Sequence, residues 1–377
     1  MSSRNFTGEQ LREIIALFQV YGDILAVKRY GSGHINDTFR VDISLGGAQV
    51  SYVLQRVNDV IFTRPDRVME NIVRVTNHIR GKFAGEADAT RRTLTVIPAR
   101  DGQPIARGPE GGWWRMYAFV VGAKTIDLIE NAGQARKAAK AFAGFQNALA
   151  DIPAPRLFET IPNFHNTLTR LEQLDIAASE DKMGRKASVA AELAFVDAHR
   201  EEAGRIVGMM EKGEIPERIT HNDTKINNVM LDDVTGEGIA VIDLDTVMPG
   251  CALYDFGDMV RTSTAAAAED EKDLSKVFSR KEYFEALVDG YVSEAKFLTD
   301  AEKENLAFSG RLVTFTIGIR FLADYLAGDT YFRTAYAEHN LVRCRTQFKM
   351  VESMEMQKDE YEAIVRRRQN RSSSEGA

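Results

Sequence analysis

The chain has 377 residues, 44% hydrophobic and 27% charged, which is an ordinary balance for a soluble globular protein and enough length for two domains. A net charge of −7 argues against nucleic acid as the main partner, and two cysteines (Cys251 and Cys344) offer no disulfide framework, which points to a reducing, cytoplasmic setting. No apolar run approaches the length of a membrane span, and Met1-Ser2-Ser3-Arg4 leads into no signal-type core, so no membrane association is expected.

Thr7-Gly8-Glu9-Gln10 reads as a capping box, and Leu11, Ile14, Ile15 and Phe18 follow at helical spacing, with Gly22 as the expected stop. Strands are predicted over Ile24–Tyr30, Thr38–Ile43 and Gln49–Val57. The loop between the first two, Gly31-Ser32-Gly33-His34-Ile35-Asn36-Asp37, carries two glycines. It suits either a plain hairpin turn or a backbone that approaches phosphate closely. A helix is predicted from Thr63-Arg64-Pro65-Asp66 onward, with Val68, Ile72, Val75 and Ile79 on one face. Two more strands are expected over Arg92–Ile97 and Trp113–Val121. The chain then turns mostly helical from Gln134 to Val207, broken by the proline-marked segment Ile152–Pro162. Further helices are predicted over Lys281–Val292, Ala301–Leu326 and Glu338–Arg367. Arg366-Arg367-Arg368 reads as a solvated helix end, and Ser372–Ala377 as a frayed tail.

One stretch organises the rest: His221-Asn222-Asp223-Thr224-Lys225-Ile226-Asn227-Asn228, followed by the apolar Val229–Leu231. A turn over Asp232–Gly238 and a second apolar segment, Ile239–Ile242, lead to Asp243-Leu244-Asp245. A hairpin here would bring Asp223, Asn228 and Asp243 to one end of two paired strands. Oxygen ligands grouped with one lysine suit Mg²⁺ and nucleotide phosphates, because a hard cation prefers carboxylate and amide oxygen. The bland reading is that these Asp and Asn residues merely supply turn chemistry. The whole ordered set, with strand-like segments in the right places, favours chemistry.

These residues resemble the H-x-D-x-x-x-x-N catalytic loop and metal-binding Asp of the kinase-like fold. Asp243-Leu244-Asp245 is not D-F-G and no A-P-E follows, so the chain is similar instead to the aminoglycoside phosphotransferase and choline kinase superfamily. Within it, four segments look like those of N-acetylhexosamine 1-kinases: Gly31–Thr38, His221–Asn228, Val241–Gly250 and Gly318–Leu326. The resemblance implies an α+β, bilobal, protein-kinase-like fold. Residues 1–121 would form a small N-lobe of antiparallel sheet with a helix. Residues 122–377 would form a large, mostly helical C-lobe, with a disordered tail from about 370. It implies ATP- and Mg²⁺-dependent phosphorylation of the anomeric hydroxyl of an N-acetylhexosamine sugar, by a monomer or weak homodimer.

By position, Asp223 would be the base, Lys225 a phosphate contact, His221 a brace for the loop, and Asn228 and Asp243 the Mg²⁺ ligands. Asp245 stands where it would touch either metal or water, and Asp255 would anchor the loop. Gly31, Ser32 and Gly33 would cover ATP, and the backbone of Ala118–Val120 would read adenine. Sugar recognition would fall to His34, Arg320 and Tyr331, although an ion pair of Arg320 with Asp324 and a surface-loop role for Tyr331 fit the sequence equally. The departure is Gln55, which stands where the kinase pattern V-A-I-K has its phosphate-binding lysine, with Glu70 as the lysine's candidate partner. Either Arg56 or another cation substitutes, or neutral Gln55 donates a hydrogen bond.

Overall fold

The computed structural model describes residues 6–31 and 35–375, with side chains described to Asn370. Ser32, Gly33 and His34, expected to cover nucleotide and to reach the acceptor, lie outside the described residues. The chain opens with α1 (Gly8–Ile15), β1 (Asp23–Arg29), β2 (Asp37–Leu45), β3 (Ala48–Val57) and α2 (Pro65–Lys82). Short strands β4 (Val96–Ile97) and β5 (Ala106–Arg107) precede β6 (Trp113–Ala118) and β7 (Ala123–Lys124). Helices α3 (Ala132–Leu149), α4 (Thr167–Glu180), α5 (Ala190–Ala203) and α6 (Arg205–Glu211) follow. Next come β8 (Arg218–Thr220), β9 (Val229–Asp232), β10 (Gly238–Val241) and β11 (Met248–Gly250). The remainder is helical: α7 (Ala252–Thr264), α8 (Lys281–Glu294), α9 (Asp300–Glu304), α10 (Leu306–Ala327), α11 (His339–Met356) and α12 (Lys358–Glu375). The fold is α+β and protein-kinase-like, with an antiparallel sheet in the N-terminal region and a mostly helical C-terminal region.

The chain divides into two compact units, neither of them continuous in sequence. Unit 1 joins residues 1–127, 151–162 and 230–248, and unit 2 joins 128–150, 163–229 and 249–377. In unit 1 the order β1-β2-β3-β6-β4 forms an antiparallel sheet with β5 also on β6. The capping box holds: Thr7 Oγ1 accepts from the Gln10 N–H and Gln10 Oε1 from the Thr7 N–H. Helix α1 nonetheless stops at Ile15, well before Gly22, because Phe18 leaves it to bridge Ala99. The predicted strand over 92–97 shrinks to Val96–Ile97. The hairpin of β9 and β10 forms as the turn chemistry predicts, extended by β7.

In unit 2, α10 packs against α4, α7 and α11, and α8 packs against α3 and α12. The segment 252–264, which shows no clear helical signal in sequence, forms the almost wholly buried α7. Breaks at Asn305 and Gln357 split two of the predicted helices, and a break at Gly204 falls within the stretch 134–207 expected to be mostly helical. The sequence-level expectation about apolar runs also needs correction. Helix α10 is long and apolar enough to cross a membrane by length and composition, but 72% of its most apolar window is buried within the protein. A core helix is apolar all round because it has neighbours on every side. The Arg366–Arg368 cluster is more than a solvated end: Arg367 reaches Glu285 at 3.7 Å and Arg368 reaches Asp289 at 3.4 Å, both on α8. Helix α12 itself continues to Glu375, through most of the segment read as tail.

Helices α7 and α10 approach closely at Gly257, where a Cβ would stand 2.5 Å from the Ser309 carbonyl oxygen and 2.6 Å from Val313 Cγ2. Backbone cannot give way as a flexible side chain does. Gly257→Ala should therefore lower stability by about 1–3 kcal/mol in urea titration of the whole chain. An unchanged midpoint would show that the two helices slide apart without cost.

Candidate active site

The loop 221–224 in unit 2 is held by its main chain. The His221 N–H donates to Asp255 Oδ2 at 2.8 Å and the Asn222 N–H to Asp255 Oδ1 at 2.6 Å. The Asp223 N–H donates to His221 Nδ1 at 3.3 Å, and the Thr224 N–H to Asp258 Oδ2 at 2.8 Å. Asp255 and Asp258 lie three residues apart on α7 and so share a face. Asp255 also accepts from Gln146 Nε2 at 2.6 Å, and burial pushes its carboxyl up to about 6, with His221 foremost among the groups limiting the rise. Asp255 therefore anchors the loop, and His221, fully buried with Phe142 and Phe145 edge-on at 5.4 and 5.9 Å, braces it.

The pinned backbone turns through a left-handed Asn222 (φ 66°), a conformation Asn tolerates better than most residues. Gly250 lies close against the same turn: a Cβ there would meet Thr220 Oγ1 at 2.4 Å and Asn222 Oδ1 at 3.2 Å. His165, missed in the sequence, supports the same turn from the 163–166 segment. Its Nε2 lies 2.8 Å from the Asn222 carbonyl, which can only accept, so that nitrogen carries the proton. Burial lowers the His165 pKa to about 4.

Beyond the turn stands the Asp223 carboxylate, with Lys225 Nζ 3.1 Å from Oδ1 and Asn228 Nδ2 3.3 Å from Oδ2. Burial alone would raise the Asp223 pKa, but the Lys225 charge, followed by His221, holds it below the usual carboxylate range. Asp223 in turn raises the Lys225 pKa; that side chain is 46% exposed, so water screens the pair. Asn228 Nδ2 also donates to the Asp223 carbonyl at 2.9 Å, which orients the amide with its nitrogen toward Asp223.

Arg320 and Tyr331 come together in unit 2, with Arg320 Nη2 3.4 Å from the Tyr331 hydroxyl. The guanidinium lies 4.9 Å from the centre of the Phe164 ring and 5.5 Å from that of Tyr331. The alternative pair of Arg320 with Asp324 does not form. Asp324 instead accepts the N–H groups of Thr330, Tyr331 and Phe332 and the Asn340 amide, all at 2.8–2.9 Å, and so shapes the loop that carries Tyr331. Among the described residues no carboxylate pairs with Arg320 or with nearby Arg170, which bonds Gln173 and the main chain. Burial, then Arg320, lowers the Arg170 pKa to about 10. A cavity of about 570 Å³ lined by Lys272, Tyr336 and Arg345 contains none of these residues.

Unit 1 carries Gln55, Asp243 and Asp245. Gln55 on β3 stands opposite Thr38 on β2 and Arg115 on β6. Its Nε2 donates to Thr38 Oγ1 and its Oε1 accepts from Arg115 Nε, both at 3.0 Å. Arg115, with 1% of its side chain exposed, also donates to Asp245 Oδ1. Burial opposes its charge, yet Asp245, with Tyr117 and Asp243, raises its pKa. The cation beside Gln55 is thus Arg115. Glu70 is exposed on α2, and Arg56 comes only within 3.9 Å of Asp59. Asp245 accordingly joins an ion pair rather than water. Asp243 takes the left-handed conformation (φ 58°) at the turn after β10. Gly31 is also left-handed (φ 79°). On β6 and beyond, the N–H groups of Ala118 and Phe119 already donate to Thr95 and Ser51. Among the described residues, no three His, Cys, Asp or Glu side chains gather as a metal cage.

A model of the phosphotransferase enzyme family matches residues 26–286. Among solved structures, the chain is similar to an aminoglycoside phosphotransferase from Alicyclobacillus acidocaldarius, at 11% identity and a TM-score of 0.54 over 99% of this chain and 98% of that one. An ethanolamine kinase from Plasmodium vivax matches at 15% identity and 0.54, over 85% and 82% of the two chains. A spectinomycin phosphotransferase in complex with ADP and spectinomycin matches at 15% and 0.54, over 93% and 98%.

The His165 shift gives a pH test. A folded-state pKa below the unfolded value of 6.5 means stability is complete above pH 6.5 and is lost as pH falls toward 4. The loss attributable to this ring is on the order of 3 kcal/mol. His165→Gln should flatten the stability curve between pH 6.5 and 4 in denaturant titrations; parallel curves for the two proteins would remove His165 from the acid sensitivity.

Proposed function

Because the chain belongs to the phosphotransferase enzyme family, we propose that it moves the γ-phosphoryl group of ATP to a small-molecule hydroxyl, the anomeric one of an N-acetylhexosamine. The observation that carries this reading is Asp223: a carboxylate held ionised by Lys225, oriented by Asn228, on a loop whose successive N–H groups are all anchored. In the proposed reaction Asp223 takes the proton of the attacking hydroxyl as its oxygen bonds to the γ-phosphorus. The bond from that phosphorus to the β–γ bridging oxygen breaks, and ADP leaves with the electron pair. Lys225 offsets charge on the transferred group.

Asn228 and Asp243 are the residues assigned to Mg²⁺. The Asn228 nitrogen is turned to Asp223, so Oδ1 is the atom that residue would offer, and amide and carboxylate oxygens are the donors a hard cation prefers. Magnesium supplies charge neutralisation across the phosphates. Gly31, Ser32 and Gly33 are assigned to cover the nucleotide, and Gln55 to support that cover from within the sheet. With the Ala118 and Phe119 N–H groups engaged, adenine reading as a donor narrows to Val120. The similar spectinomycin phosphotransferase binds ADP, which supports a nucleotide on this fold. The two buried free cysteines suit the cytoplasm.

Acceptor chemistry follows from charge. Arg320 and Tyr331 offer a guanidinium fork and an aromatic face, and His34 is the third residue assigned to the acceptor. Arg170 and Arg320, lacking carboxylate partners among the described residues, would repel an amine-bearing acceptor, which favours a neutral N-acetylated sugar over an aminoglycoside, choline or ethanolamine.

The test is a panel of N-acetylglucosamine, N-acetylgalactosamine, glucosamine, choline and an aminoglycoside with Mg-ATP, read by phosphorus NMR. A sugar 1-phosphate from the N-acetylated members is expected. Turnover of another alcohol alone would overturn the substrate and keep the kinase, whereas ATP binding with no turnover would leave a nucleotide-binding module. Asp223→Asn should cut turnover by roughly 10²–10⁴ while ATP still binds, as loss of a proton acceptor does. A fully active variant would contradict the base assignment.

A further inference from the structure

The sequence lacks the β3 lysine that a kinase-like sheet uses toward phosphate, and the structure supplies a buried clasp in its place. We propose that Arg115 is a positioning residue for the nucleotide-covering loop, acting through Asp245, which in turn holds Asn36 at the end of that loop. This rests on the kinase reading of the site.

Asp245 has a donor on each oxygen. Arg115 binds Oδ1, and Asn36 Nδ2 donates to Oδ2 at 2.8 Å. The other end of the Asn36 amide is committed too: its Oδ1 accepts from the Asn58 N–H at 3.0 Å, and Asn58 Nδ2 donates to the Ile35 carbonyl at 3.2 Å. Residues 35–36 are therefore gripped from two sides, by the end of β3 and by the turn after Asp243. At the base of the same loop, Arg29 reaches Asp37 at 3.1 Å and the Tyr30 N–H donates to the Thr38 carbonyl at 3.0 Å. The turn holding Asp245 is itself fixed, since the Asp245 carbonyl accepts from Thr160 Oγ1 at 2.8 Å and the Val247 carbonyl from Asn71 Nδ2 at 3.1 Å.

Two alternative roles fail on geometry. Arg115 does not serve as a direct phosphate contact: its side chain is 1% exposed, with Nε on Gln55 and Nη1 on Asp245. Asp245, with 4% of its side chain exposed and both oxygens bonded to protein donors, is not a metal ligand. What remains is mechanical. A buried ion pair broken on one side is costly, so the arrangement has one low-energy geometry, and that geometry sets where the loop ends. Arginine is required, because its fork bonds Gln55 and Asp245 together, whereas a lysine presents one point charge.

The experiment uses the full chain and two variants. Asn36→Ala leaves the Arg115–Asp245 pair intact and so keeps the fold, while Asp245→Asn weakens the clasp at its centre. Amide hydrogen exchange at residues 35–38 without nucleotide reads the clasp directly. KM for ATP, KM for the acceptor and the Mg²⁺ half-saturation read its consequence. Both variants should speed exchange at 35–38 and raise KM for ATP by about tenfold, the loss of one charge-assisted hydrogen bond, while acceptor KM and Mg²⁺ dependence stay put. Unchanged exchange in Asn36→Ala overturns the clasp. A shifted Mg²⁺ half-saturation in Asp245→Asn makes Asp245 a metal ligand and also overturns it. Since the exchange measurement needs no turnover, failure of the kinase reading would show separately, as a clasp present in a protein that phosphorylates nothing.

Discussion

A single buried carboxylate sets the position of the candidate base. Asp255 receives two successive main-chain N–H groups of the loop, Asp258 receives a third, and His221 takes the one between. A stretch of four N–H groups that would otherwise need water is thereby satisfied wholly by protein. Because Asp255 and Asp258 sit on one face of α7, the loop inherits the placement of that helix. Helix α7 is fixed in turn by its close approach to α10, where Gly257 faces the Ser309 carbonyl and Val260 faces Gly310. The long apolar helix in the middle of unit 2 therefore determines where the Asp223 carboxylate stands.

Unit 1 uses the same logic with a buried cation. Thr38, Gln55 and Arg115 form one row across three strands, and Arg115 passes the connection to Asp245. The energetics of such an arrangement favour specificity more than stability. Removing charged groups from water costs several kcal/mol per ion, which the pair and its hydrogen bonds offset only in one geometry. In both units, buried charges hold backbone or loop-end groups in place.

Much of this was legible in the chain. The capping box at Thr7, the strands of the first sheet and the hairpin after Asn228 rest on local signals: short-range spacing, turn residues and alternation; the anchoring Asp255 came from the family resemblance. Other features escaped for identifiable reasons. Arg115 lies 60 residues from Gln55, and only the pairing of β3 with β6 makes them neighbours, although a charge within the apolar run Trp113–Ala118 was the available warning. Arg320 and Asp324 have ideal helical spacing for a pair, but Asp324 is taken by the N–H groups of the loop that follows. Glu70 was placed by analogy with a lysine that this chain does not have.

The sequence by itself determined which groups are present, their order, and the local structures that periodicity and capping dictate: a sheet-forming region, a helical region, and a loop rich in oxygen ligands. Only the tertiary structure decided which polar group meets which. It chose Arg115 over Arg56, loop N–H groups over Arg320 for Asp324, and protein donors over solvent for Asp245. The reason is that a hydrogen bond between distant residues depends on strand register and helix packing, and those arise from burial of the apolar surface as a whole rather than from the residues that form the bond.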